Sequence, residues 1–110
     1  AHFDTGASIT SIDITLATHL NLIATGQSIN HTAAGAQTMP TFAIDLSFSN
    51  TNLLHFIDLQ IGSCRLPFDL ENCLKNHNDP KNFGLLIGRD IMARWNITWN
   101  GPTSTVFISD

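Results

Sequence analysis

Along most of the chain, apolar and polar residues alternate with a period of two, the spacing of a strand that buries one face. Thr41 to Ser49 reads Thr-Phe-Ala-Ile-Asp-Leu-Ser-Phe-Ser and puts Phe42, Ile44, Leu46 and Phe48 on one side. His55 to Ile61 alternates again and aligns Ile57, Leu59 and Ile61. Trp95, Ile97 and Trp99 alternate with Asn96, Thr98 and Asn100, and Thr105 to Ser109 returns as a further strand. Asn100-Gly101-Pro102 joins them as a hairpin, the Asn-Gly pair being expected to supply the positive φ of a tight turn.

Gln27 to Thr32 and Met39 to Phe48 flank the small residues Ala33-Ala34-Gly35-Ala36, which predicts a long hairpin with a movable tip. Helical spacing is confined to short stretches. Ile12, Leu16 and Leu20 predict a helix over Asp13 to Leu20, against the preference of its threonines. Ile91, Met92 and Trp95 share one side of a helix predicted over Asp90 to Trp95, with the Asp90 carboxylate at the positive end of the dipole. Asn76 to Asn82, with Pro80, reads as a loop, and Lys75 to Lys81 as a solvated one. The pattern therefore predicts a mainly β domain with one or two short helices.

A chain of 110 residues suits one domain. Such a domain buries only about two-thirds of its unfolded surface, so a dimer contact would add useful burial. Hydrophobic residues make up 43% and charged residues 13%, which describes a globular chain with little charge to hold other chains away. The net charge is −4 and the five Lys and Arg residues are scattered, which argues against nucleic acid. No apolar run reaches the roughly 18 residues of a membrane span, and no signal peptide is read. The first residue is Ala rather than Met, so a processed, excised or incomplete chain is expected. Cys64 and Cys73 are too few for a disulfide framework, and free thiols are expected over a single bridge. The sequons at Asn30 to Thr32 and Asn96 to Thr98 need no more than chance in a chain rich in Asn, Ser and Thr. The five histidines, His2, His19, His31, His55 and His77, stand at least 12 residues apart with no paired ligand motif. Neither a metal nor another cofactor is expected.

Candidate chemistry concentrates at Phe3-Asp4-Thr5-Gly6-Ala7-Ser8. An Asp at the end of an apolar strand can point a carboxylate into a cleft. Gly6 allows a sharp turn and a close backbone approach. The Thr5 hydroxyl can donate one hydrogen bond and accept another across a symmetric contact. Read alone, the triplet also fits a surface β-turn, where Asp and Gly are common. Leu85-Leu86-Ile87-Gly88-Arg89-Asp90-Ile91, about 80 residues downstream, adds an apolar strand, a glycine and a helix start.

These two motifs, with a glycine-tipped hairpin between them, resemble the retropepsin family of aspartic proteases in order along nearly the whole chain. The resemblance implies one lobe of a closed, barrel-like dimer, with residues 1–110 forming a single protease domain. It places the catalytic triplet at Asp4, Thr5 and Gly6, with Ala7 in support. It places a flap over the substrate within Asn30 to Met39, its tip at Thr32, Ala33, Ala34, Gly35 and Ala36. Leu86, Ile87, Gly88, Arg89 and Asp90 fall where the family keeps its hydrophobic-hydrophobic-Gly element followed by a short helix. The terminal hairpin falls near the family's dimer contact. Retropepsins carry roughly a further strand pair ahead of the triplet, whereas three residues precede Asp4 here, so those interface strands are expected to be missing. Many viral members follow the triplet and its Ala with an Asp that pairs the Arg. Ser8 stands there instead, so non-viral members are the closer likeness and the partner of Arg89 stays open.

The family's reaction needs two carboxylates around one water, and this chain has one such triplet. The second carboxylate must come from a second copy. The expectation is a homodimeric endopeptidase acting on peptide or protein substrates, with Asp4 and its symmetry mate as general base and general acid. An alternative from another class is a non-catalytic dimerisation or peptide-binding domain on the same fold. Other candidates read more simply. His2 shares a strand face with Asp4 and reads as a partly exposed neighbour of the interface. Ser8 and Ser11 lack the Gly-x-Ser-x-Gly elbow of a serine hydrolase. Asp90 reads as a capping or dipole residue at a helix start, Arg89 as half of an intramolecular ion pair, and Trp95 and Trp99 as core or interface.

Overall fold

The alternating segments pair into sheets, and the chain order is β1 (His2–Phe3), β2 (Ser11–Asp13), α1 (Ile14–His19), β3 (Ala24–Thr32), β4 (Gly35–Leu46), β5 (Phe56–Cys64), α2 (Leu70–Lys75), β6 (Leu85–Ile87), α3 (Arg89–Met92), β7 (Asn96–Asn100) and β8 (Thr105–Ser109). The structure is a computed structural model and describes residues 1–32 and 35–110. It is mainly β, with 44% strand against 15% helix. Among the described residues, no helix is long and apolar enough to cross a membrane.

Six strands form one sheet in the order β1-β6-β2-β5-β4-β3, and β7 pairs with β8 apart from it. β6 lies between β1, which it meets in parallel, and β2, which it meets antiparallel. The chain between β1 and β2 must therefore cross the end of β6, and this crossing builds the candidate site. β3 and β4 pair antiparallel down to Thr32 opposite Gly35. Ala33 and Ala34, the centre of the expected flap tip, lie outside the described residues.

Two apolar clusters hold these layers. Ile12, Ala17, Phe42 and Ile61 form one, and Ile87, Ile91, Met92 and Trp95 form the other. Leu59 and Leu85 pack against both and join them. The first helix is shorter than Asp13 to Leu20 because Asp13 caps it. The Asp13 carboxylate accepts from the Thr15 and Leu16 N–H groups, and its other oxygen accepts from Leu66 N–H at 2.8 Å. These three charge-assisted bonds let a carboxylate sit at 3% exposure. The expected Asp90 to Trp95 helix is likewise trimmed to α3, although Ile91, Met92 and Trp95 are buried together as the spacing implied.

The alternation fails at one place in β5. Ile44 faces Leu59 and Leu46 faces Phe56, so two steps along β4 match three along β5. The extra residue is a bulge with Asp58 at φ 53°, its N–H donating to Asp45 Oδ1 at 2.9 Å. Phe56 consequently takes the inward place expected of Ile57, which is 73% exposed. Two loop expectations also change. Lys75 closes helix α2, capped by Asp69, so it does not begin a loop. In the β7–β8 hairpin the positive φ falls on Ser104 at 53° and not on the Asn-Gly pair.

Candidate active site

Asp4 leaves β1 with its N–H donating to the Ile87 carbonyl at 3.0 Å, so the strand end is still held by β6. Its own carbonyl accepts from Ala7 N–H at 3.1 Å, closing a tight turn over Asp4 to Ala7. Within that turn, Gly6 N–H donates to Asp4 Oδ1 at 2.8 Å. A Cβ on Gly6 would stand 3.1 Å from the same oxygen, so a bare residue suits this close amide. Asp4 is half-buried, while Thr5 and Gly6 beside it are exposed.

The loop is fastened from behind by Gly88, Arg89 and Asp90. Arg89 N–H donates to the Ala7 carbonyl at 2.9 Å, and its guanidinium donates to the Thr5 carbonyl at 3.0 Å. Arg89 thus grips backbone and makes no ion pair, contrary to the sequence expectation; the ion pair among the described residues is Lys75 with Glu71. Asp90 does not cap α3. Gly88 occupies the cap position, and the Asp90 carboxylate reaches across to Thr10. It accepts from Thr10 N–H at 3.0 Å and from the Thr10 hydroxyl at 2.8 Å, as well as from Ile91 N–H. A Cβ on Gly88 would lie 2.6 Å from the Ile9 carbonyl carbon, a collision with backbone that cannot be relieved by a rotamer change.

Two hollows border this loop. A groove of about 410 Å³ runs between Gly6 to Ile9 on one side and Ile29 to His31 of β3 on the other, with Cys64 and Leu86 in its walls. An apolar hollow of about 510 Å³ lies toward the terminal hairpin, lined by Phe3, Thr5, Met92, Ile97, Trp99 and Val106 among others. Thr5 borders the second hollow and Gly6 the first. Trp99, expected in core or interface, is open to solvent in the single chain, as is Ile97.

Of the expected flap residues, Thr32 pairs with Gly35 and Ala36 with His31. Asn30 is tied down by its side-chain amide, which donates to the Ser63 carbonyl at 2.6 Å. His2 is exposed and stacks on Phe83 at 4.6 Å between ring centroids. Cys64 and Cys73 are free thiols. Burial pushes the Cys64 thiol above its ordinary pKa, the Asp13 carboxylate adds to the rise, and a hydrogen bond with Ser11 opposes it. Among the described residues, no group of three or more His, Cys, Asp and Glu side chains is placed to hold a metal ion.

The sequence reading did not find Thr10, which is fully buried at the centre of the fastening, nor the groove residues Ile9 and Ile29, and it named Leu86 only within the downstream motif. The one local signal for Thr10 is a small polar residue next to an apolar strand, which is too common to select it. Comparisons with protein-family models, with curated proteins and with solved structures find no match to this chain.

Proposed function

We propose that the chain is one half of a homodimeric aspartic endopeptidase with a retropepsin-like fold, in which Asp4 supplies one of two catalytic carboxylates. The observation that carries this reading is the setting of Asp4. It is a half-buried carboxylate on a loop held at several backbone points, between a groove wide enough for side chains and an apolar hollow suited to a second copy. The motif resemblance supplies the reaction class, and the loop geometry supports it.

Two carboxylates brought close across a two-fold axis share one proton, because both cannot ionise without strong repulsion. The ionised member takes a proton from a bound water as that water attacks the scissile carbonyl carbon. The protonated member gives its proton to the carbonyl oxygen, producing a gem-diol. Collapse of the diol breaks the C–N bond, with proton transfer to the leaving amine restoring the shared-proton pair. The Gly6 N–H at Asp4 Oδ1 fixes the orientation of the carboxylate, and the β3–β4 hairpin is suited to closing over the groove. The second copy would cover Phe3, Ile97, Trp99 and Val106.

A peptide-library digest at several pH values tests this. Cleavage should be strongest at acidic pH and fall on dilution through the dimer dissociation constant. Asp4→Asn should lower it by on the order of 10³-fold or more with an unchanged circular dichroism spectrum. Equal cleavage by Asp4→Asn would remove the protease reading. A chain that dimerises and binds peptides but never cleaves would be a binding domain instead.

A further inference from the structure

Thr10 spends all of its polar capacity inside the fold. Its N–H and its hydroxyl both donate to the Asp90 carboxylate. The hydroxyl oxygen also accepts from Gly88 N–H at 3.0 Å. Its carbonyl accepts from Gly62 N–H at 3.0 Å. One fully buried residue therefore ties the end of the Asp4 loop to α3, to the β6–α3 corner and to β5. The loop's other anchors, at Asp4, Thr5 and Ala7, all go to Ile87 or Arg89, on the same short segment.

We propose that Thr10 is a positioning residue for Asp4, its hydroxyl setting where the Asp4 loop sits relative to Gly88–Asp90 and hence the separation of the two carboxylates in the dimer. The inference rests on the protease reading above. The hydroxyl is the sole part of Thr10 that both gives and takes a hydrogen bond, so removing it strands the Gly88 N–H and loosens two contacts at once. Neither Thr10 nor Asp90 touches substrate in this scheme. Displacement of the loop would act on chemistry while leaving the groove walls formed by Ile29 and Leu86 in place.

The test compares Thr10→Val, which keeps the shape and deletes the hydroxyl, with Thr10→Ser, which keeps the hydroxyl. Each is assayed as the full chain, at concentrations well above the dimer midpoint. Thr10→Val should lower kcat by about 10²-fold with little change in KM. Its two apparent pKa values in the pH–rate profile should move closer together, since carboxylates set farther apart interact less. Thr10→Ser should restore both the rate and the profile. If Thr10→Val does not fold, Asp90→Asn carries the test. It removes one acceptor oxygen and should give a smaller loss of kcat with the same narrowing of the profile. A folded Thr10→Val or Asp90→Asn with wild-type kcat and profile overturns the positioning role while leaving the protease intact. A wild-type chain with no cleavage removes the reading on which the inference stands.

Discussion

The loop over Asp4 to Thr10 and the β7–β8 hairpin solve opposite problems. Behind the loop, Thr10, Asp90 and Gly88 match hydrogen-bonding groups to one another, and a Cβ at Gly88 would meet backbone. At the hairpin, the two strands pair with each other and, among the described residues, with no further strand, and Trp99 is 69% exposed with Ile97, Val106 and Phe107 also open. An isolated two-stranded hairpin is marginal in water, and this one gains its anchorage from Trp95 and Ile108 in the second apolar cluster. One region is finished by its own chain. The other carries apolar surface that a second copy could cover. A bonded loop and an open apolar face are thus built side by side from different chemistry.

The contrast can be broken from either side. Gly88→Ala should cause the largest change, about 3 kcal/mol of lost stability in urea denaturation, because the new methyl meets the Ile9 backbone. A loss under about 1 kcal/mol would mean that the corner yields and that the loop is not firmly held. The double variant Ile97→Lys, Trp99→Lys should alter the stability of the dilute chain by no more than about 1 kcal/mol in sum, since both side chains are open to solvent. The same variant should move the sedimentation profile toward monomer. If it sediments as wild type, the hairpin is not the contact surface.

The smallest effect concerns Cys64. Its thiol is held above the ordinary value of 9.0 when folded, so the folded chain keeps a proton that the unfolded chain releases first. Stability from this group is complete below pH 9.0 and is lost as pH rises from there through the folded value. Cys64→Ala should flatten this alkaline decline in thermal melts, and a Cys73→Ala control should not. Equal slopes in all three chains would show that the groove wall near Ser11 is wetter than the fold implies.

The strand pattern was legible where an unbroken alternation met a ladder in register, as at Phe42 and Ile44. It misled at Ile57 because a bulge at Asp58 shifts the phase, and alternation contains no mark of an inserted residue. Helix α2 was not foreseen, since it spans little more than one turn and buries no residue fully. Asp4, Thr5 and Gly6 could be picked out because they are adjacent in sequence. Thr10, its bond to Asp90 and the true partner of Arg89 could not, because these bonds join residues about 80 positions apart and leave no local period. The groove was hidden for the same reason: Ile29 and Leu86 face one space only after the sheet has formed.

The two-residue strand β1 is held by β6, and the loop after it by Gly88 to Asp90. During synthesis, Asp4 is made about 80 residues before its anchors. Closing so long a loop is entropically unfavourable until the apolar clusters form around it. A nascent or prematurely terminated chain ending before Ile87 would carry the aspartate without the bonds that seat it. Such a fragment would lack the seating of Asp4, so this arrangement arises only after residues 87–90 have been made.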